Sequence, residues 1–341
     1  MVSYVHLSRY RKIVEMKVWA LISSAVGIAF TAWLLSKYGF DRIVALVIIA
    51  GWAIPAVAAY HVLQIVLSGS AWRMVTEEGA HRLNWRSYYQ LRWIREAINN
   101  LLPVVQLGGV AVGTRLLTRR GVPLSPAIAS AIVDTTMEFM SEITFTLTGV
   151  GLLFLGRFEH GAGSYALAGV LSAGVMATIL LGAQWLGLAK IVEWALKRFG
   201  KTLGGTGSGG TQGLHQAIIA VYRTPRRIVG GFLLHFAGWI FGAFEIAIAL
   251  AALGHWVGIM PCLLIEALGQ ALRSAGFAVP GAIGVQEGGY VLAVGLFGLP
   301  PETGIALSII KRLRDVVLGL PALAVWHWLE GRPHAADAPT L

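Results

Sequence analysis

Six stretches of this chain are long and apolar enough to cross a bilayer, and that repetition constrains the fold more than any short motif. A hydrocarbon core needs about 20 consecutive apolar residues of helix. The stretches are residues 18–35, 43–67, 125–155, 165–188, 228–253 and 303–329. Composition agrees with them. Of 341 residues, 56% are hydrophobic and 13% are charged, where a soluble chain carries about a quarter charged residues. We therefore expect an all-α polytopic membrane protein. Twelve Trp residues suit the lipid–water interface. Pro55 and Pro321 fall inside two of the stretches and are expected to kink them, which membrane helices tolerate.

The net charge of +10 could suggest nucleic acid as a partner. Its distribution argues against that. Lys and Arg concentrate in the amino-terminal residues, in 73–120 and in 190–227, whereas Lys37, Arg42 and Arg157 are left for the opposite side. The positive-inside rule then places both termini in the cytoplasm. The stretch at 18–35 follows Arg9, Arg11, Lys12 and Lys17 but has no small-residue cleavage site after it, so we read it as an uncleaved span. The glycine-rich residues 200–213 superficially resemble a phosphate loop; without a flanking strand they read as a flexible cytoplasmic linker. The single cysteine, Cys262, excludes an internal disulfide, and the scattered His residues offer no metal-ligand spacing. No cofactor is expected.

Two segments, 95–121 and 272–298, are apolar but broken by Pro and Gly. Displacing one by 177 positions aligns their landmarks. Pro103 falls on Pro280, Gly121 on Gly298, Pro123 on Pro300, Ala129 on Ala306, Ile132 on Ile309 and Glu138 on Asp315. Three spans lie between the copies, and an odd number reverses their orientation. The expected architecture is two inverted-topology repeats, each carrying a re-entrant hairpin, at 95–121 and 259–298. The first repeat covers 1–189 together with the start of the second, residues 190–227 are the linker, and 228–341 complete the second repeat and a short cytoplasmic tail. Inverted repeats with broken elements at the midplane are a transporter arrangement. Irregular backbone at that depth must be buried in protein or line a wet cavity.

Charges inside the spans point the same way. Asp134, Glu138 and Glu142 recur at i, i+4 and i+8, which puts three carboxylates on one helix face. About 13 Å of helix precedes Asp134, so the three lie deep. Lys311, Arg312, Arg314 and Asp315 occupy a corresponding depth in the last span, with Arg312 on a different side from the other three. Unpaired charges in hydrocarbon are costly, and a chain retains them to pair, to line water or to bind a charged ligand. One reading pairs the three acids with the bases of the repeat partner. The other makes the cluster a polar pathway, in which crowded carboxylates suit proton coupling and the bases suit a phosphate headgroup. At the hairpins, Arg95, Asn99, Asn100, Pro103, Gly108, Gly109 and Arg115 are candidates in the first segment. Arg273, Pro280, Gly284, Gln286 and Glu287 are candidates in the second. With Lys311, Arg312, Arg314 and Asp315 they form the expected substrate pathway, and Asp134, Glu138 and Glu142 the expected coupling face. The glycines serve helix packing equally well. Glu245 and Glu266 are weaker candidates for the pathway.

The run R-x3-NNLLP-x4-GG-x5-R, from Arg95 to Arg115, resembles the transmembrane domain of lysylphosphatidylglycerol synthases, the flippase-like superfamily. The run VPGAIGVQEGGY…GLPPETGIALSIIKRLRD, from Val279 to Asp315, looks like its hopanoid-associated, HpnL-type branch. The resemblance spans nearly the whole chain. It implies a bacterial inner-membrane protein that moves lipid between leaflets, with a membrane lipid as ligand and hopanoid-synthesis enzymes as partners. The chain ends shortly after Glu330, without the soluble aminoacyl-transfer domain of a full synthase, so no enzymatic activity is expected. The basic cluster fits an anionic phospholipid more naturally than a neutral hopanoid. Two other readings stand beside translocation: a non-catalytic scaffold for lipid-synthesis enzymes, and a membrane-embedded lipid-modifying enzyme, for which neither a nucleophile nor a metal-binding pair is apparent.

Overall fold

The computed structural model describes residues 39–76, 83–102, 107–155, 210–275 and 282–331, with isolated positions 29, 32, 33, 36, 37 and 279. The expected first and fourth spans, most of the glycine-rich linker, Pro103 and Pro280 lie outside the described residues. The described chain is helical throughout. Its helices are α1 (Phe40–Ile49), α2 (Ala53–Val75), α3 (Trp85–Leu101), α4 (Leu107–Arg119), α5 (Leu124–Leu155), α6 (Gly210–Tyr222), α7 (Pro225–Ala252), α8 (Ile259–Ala275), α9 (Val285–Gly295) and α10 (Pro301–Glu330).

The stretches expected at 125–155, 228–253 and 303–329 are helical to within a few residues of those bounds. The second span differs. It is interrupted at residues 50–52, where Gly51 N–H bonds Ile48 O (3.1 Å), and Pro55 falls in the first turn of α2. There its missing N–H costs nothing. The helix then runs on to Val75, so Arg73 belongs to its last turn and not to a loop. Pro321 does lie within α10. Beside it, Trp93 Nε1 donates to Leu318 O at 2.8 Å, tying α3 to this part of α10. Among the described residues, α2 and α7 are long and apolar enough to cross a membrane. Helices α5 and α10 are longer still but carry the interior charges.

The 177-residue displacement extends from single residues to whole elements. Leu124, where α5 begins, falls on Pro301, where α10 begins, and Val75, where α2 ends, falls on Ala252, where α7 ends. Helices α3 and α4 fall on α8 and α9. The turn before the long helix is the same in both copies. Gly121 and Gly298 have φ of 91° and 70°, a left-handed conformation that glycine adopts without strain. The next N–H reaches back five residues, Val122 to Leu117 O and Leu299 to Val294 O, both at 3.2 Å. This is a Schellman closure of the preceding helix, and Pro123 or Pro300 then precedes the long helix. Packing repeats too: α3 lies against α4 and α10, while α8 lies against α9 and α5.

Two apolar cores flank a polar middle. One gathers Ala53 and Val57 of α2 with Ile246 and Leu250 of α7 and with Ile265, Tyr290 and Leu307. The other gathers Trp72 and Val75, at the far end of α2, with Tyr88, Ile94, Leu117 and Met137. Along α2 the residues between these cores are His61, Gln64 and Ser68, and they face a cleft.

Candidate functional site

The cleft encloses about 150 Å3 and is lined almost entirely by polar side chains. Each helix around it contributes one stripe at helical spacing. From α2 come His61, Gln64 and Ser68; from α3, Arg92, Arg95, Glu96, Asn99 and Asn100; from α5, Thr135, Glu138, Phe139 and Glu142. Helix α7 adds His235, Gly238 and Trp239, α8 adds Glu266, Gln270, Arg273 and Ser274, and α10 adds Lys311 and Arg314. Most of these helices are otherwise apolar, so the stripes follow from where the chain must bury its few charges.

Those charges are organised in pairs. Arg92 holds Glu138 with both terminal nitrogens, one at 2.9 Å. Arg95 reaches Asp134 Oδ2 at 2.6 Å, Glu138 Oε2 at 2.9 Å and Thr135 Oγ1 at 3.0 Å. The other oxygen of Asp134 lies 2.9 Å from His235 Nε2. Across the cleft, Lys311 Nζ donates to both oxygens of Glu266, at 2.9 and 2.6 Å. Arg314 donates to Glu245 and, at 2.6 Å, to Asp315. His61 bridges two acids, with Nδ1 2.7 Å from Glu245 and Nε2 2.5 Å from Glu96, and Gln64 donates to the same Glu245.

This corrects the pairing expected from the sequence. The acids of α5 do not meet the bases of α10: Asp134 and Glu138 find cations on α3, Glu142 a hydroxyl on α8, and Lys311 and Arg314 carboxylates on α8 and α7. The positive cluster is also neutralised. Lys311, Arg312 and Arg314 each hold a carboxylate, so they supply no surplus of free positive charge for an anionic headgroup.

The candidates fall into three groups. Arg95, Asn99, Asn100, Glu138, Glu142, Arg273, Lys311 and Arg314 line the cleft, and Asp134 and Asp315 stand directly behind it as partners. Gln286, Glu287 and Arg312 form a separate buried knot at the start of α9. Gln286 Nε2 donates to Ser308 Oγ (3.0 Å), and Ser308 Oγ (3.2 Å) and Arg312 Nε (2.6 Å) donate to Glu287. Gly284, with φ 84°, begins that helix by donating its N–H to Glu287 Oε2 at 2.7 Å. Arg115 lies outside the cleft, exposed, 3.1 Å from Glu330. Gly108 and Gly109 start α4 close beneath α3: a Cβ on Gly109 would stand 2.3 Å from Arg95 O, and Asn99 Oδ1 accepts the Gly109 N–H at 2.9 Å. Both asparagines act as acceptors here, since Asn100 Oδ1 also takes a hydrogen bond, from Arg273 at 2.8 Å.

The sequence reading left out His61, Gln64, Arg92, His235, Gln270 and Ser274. Arg92 had been counted among loop charges that set topology, yet it is buried. Its signal was available: Arg92, Arg95, Glu96, Asn99 and Asn100 recur at the spacing of one helix face.

No curated protein and no solved structure matches this chain. The profile of the family described as Lysylphosphatidylglycerol synthase TM region matches residues 20–322. That range covers the cleft and every helix around it. The chain is a membrane protein belonging to the lysylphosphatidylglycerol synthase transmembrane-region family.

Proposed function

We propose that this protein is a lipid translocator, which carries a headgroup between leaflets through the polar cleft while the acyl chains stay in lipid. The observation that carries the reading is the cleft itself: a buried, charge-paired cavity between two apolar cores, in a chain of a membrane-lipid family. Charged groups at such depth are rare and mark substrate or ion paths. The coincidence of helix ends and of the Gly121 and Gly298 turns at one displacement supports two repeats. On this reading they have inverted topology, α3–α4 and α8–α9 are re-entrant hairpins, the chain spans the bacterial inner membrane about six times, and both termini are cytoplasmic. The protein performs no covalent chemistry. Association with hopanoid-synthesis enzymes follows only from the branch resemblance, and a hopanoid remains one cargo to test.

The test is translocation in proteoliposomes. Purified protein is offered acyl-labelled phospholipids and a hopanoid analogue, with and without a pH gradient. Protein-dependent movement of any of them supports the proposal, and acceleration by the gradient assigns proton coupling. No movement of any lipid by demonstrably folded protein would overturn it in favour of a scaffold.

A further inference from the structure

Two charges lining the cleft escape the pairing that governs the rest. Glu142 on α5 is buried, and among the described residues it forms no ion pair. Its partner is the hydroxyl of Ser274, which donates to Oε1. Arg273, adjacent to Ser274 on α8, is the lining cation without a carboxylate; its Nη2 donates to the neutral Asn100 Oδ1 at 2.8 Å. A guanidinium has five N–H donors in a rigid fork, so most of those of Arg273 are left for another acceptor. The two form no ion pair with each other: the Arg273 guanidinium is bonded to Asn100 and the Glu142 carboxylate to Ser274.

We propose that Arg273 and Glu142 are the two ends of a recognition site for a zwitterionic headgroup, a phosphate joined to a primary ammonium. This rests on the translocator reading and names its substrate class. The phosphate takes the free edge of Arg273, a geometry suited to bidentate contact. The ammonium takes Glu142, whose second oxygen has no donor among the described residues. A purely anionic headgroup would satisfy Arg273 and set a like charge near Glu142. A purely cationic one would do the reverse. Only a ligand carrying both charges compensates both residues, and unpaired buried charge is what such a site must remove on binding. The cavity of about 150 Å3 is on the scale of a small headgroup and too small for acyl chains.

The experiment compares acyl-labelled phosphatidylethanolamine with phosphatidylglycerol in proteoliposomes of the wild type, Glu142→Gln, Glu142→Asp and Arg273→Gln. The wild type is expected to move phosphatidylethanolamine about tenfold faster, one tenfold step being the usual worth of a single charge-assisted contact. Glu142→Gln should erase that preference, Glu142→Asp should restore part of it, and Arg273→Gln should slow both lipids. Free O-phosphoethanolamine should compete where glycerol phosphate does not, if the headgroup alone is read; competition by neither assigns recognition to the intact lipid. Equal rates for the two lipids in the wild type, or a preference that survives Glu142→Gln, would overturn the site. If no lipid moves at all, native mass spectrometry of the detergent-solubilised protein separates the two claims. A bound preference for phosphatidylethanolamine that disappears in Glu142→Gln keeps the site and removes translocation; equal binding removes the site.

Discussion

Asp134 and Lys311 stand 177 positions apart, ten residues into α5 and α10 respectively, and they carry opposite charges. Each is neutralised by the short helix that precedes it in its own segment, Asp134 by Arg95 of α3 and Lys311 by Glu266 of α8. The same frame thus carries inverted charge. Removing one member of such a buried pair strands the other, at about 3–5 kcal/mol. Lys311→Met should lower the melting temperature in detergent markedly, and Lys311→Met combined with Glu266→Gln should recover most of the loss. A double mutant no more stable than the single would contradict the pairing.

Glu138 and Glu142 lie one turn apart and should respond differently to the same change. Glu138→Gln weakens contacts to both Arg92 and Arg95, so it should destabilise the protein by about 2 kcal/mol or more. Glu142→Gln keeps its hydrogen bond to Ser274 and loses no ion pair, and should melt close to wild type. Thermal unfolding of the two variants side by side checks the contrast, and it identifies Glu142→Gln as the cleaner probe of function.

The approach of α4 to α3 depends on a missing side chain. Gly109→Ala would place a methyl 2.3 Å from Arg95 O and 2.7 Å from Asn99 Oδ1, and overpacking of this kind costs about 1–3 kcal/mol. Gly151→Ala in α5 meets nothing within 4 Å and should be neutral or stabilising by up to about 1 kcal/mol. Similar melting of the two variants would mean that the α3–α4 contact is looser than described.

Arg115 is a negative control for the cleft. Its guanidinium is exposed and its partner Glu330 also binds Arg119. Exposed pairs contribute little, about 0–1 kcal/mol. Arg115→Ala should leave lipid translocation within about twofold of wild type. A loss matching that of Arg273→Gln would place Arg115 on the path after all.

Much of the architecture was legible because membrane spans are long and their composition is extreme. The 177-position correspondence of the two turns was legible because a turn that needs φ > 0 favours glycine, as Gly121 and Gly298 illustrate. Partnership was not legible. Asp134, Glu138 and Glu142 share a face by spacing alone, but whether that face meets α10 or α3 is decided by how helices cross, which spacing does not encode. Arg92 was obscured differently: the first half of α3 is polar enough to read as a loop, and its burial comes from tertiary packing. His61 and His235 carried no sequence signal, since a lone His on an apolar helix has no neighbours in sequence that reveal its use.

The cleft has a property that follows from the kinds of contact already described. Around the cleft, every bond between a guanidinium or ammonium and a carboxylate stays within one set of helices, either α1–α5 or α6–α10. The polar joints between the sets include His61 to Glu245, Gln64 to Glu245, His61 to Arg314, His235 to Asp134, Ser274 to Glu142 and Arg273 to Asn100. Each is a single hydrogen bond of about 1–3 kcal/mol. What fastens the two sets around the cleft is therefore apolar, the packing of α2 on α7 in both cores, so the polar joints can be exchanged one at a time without opening that contact.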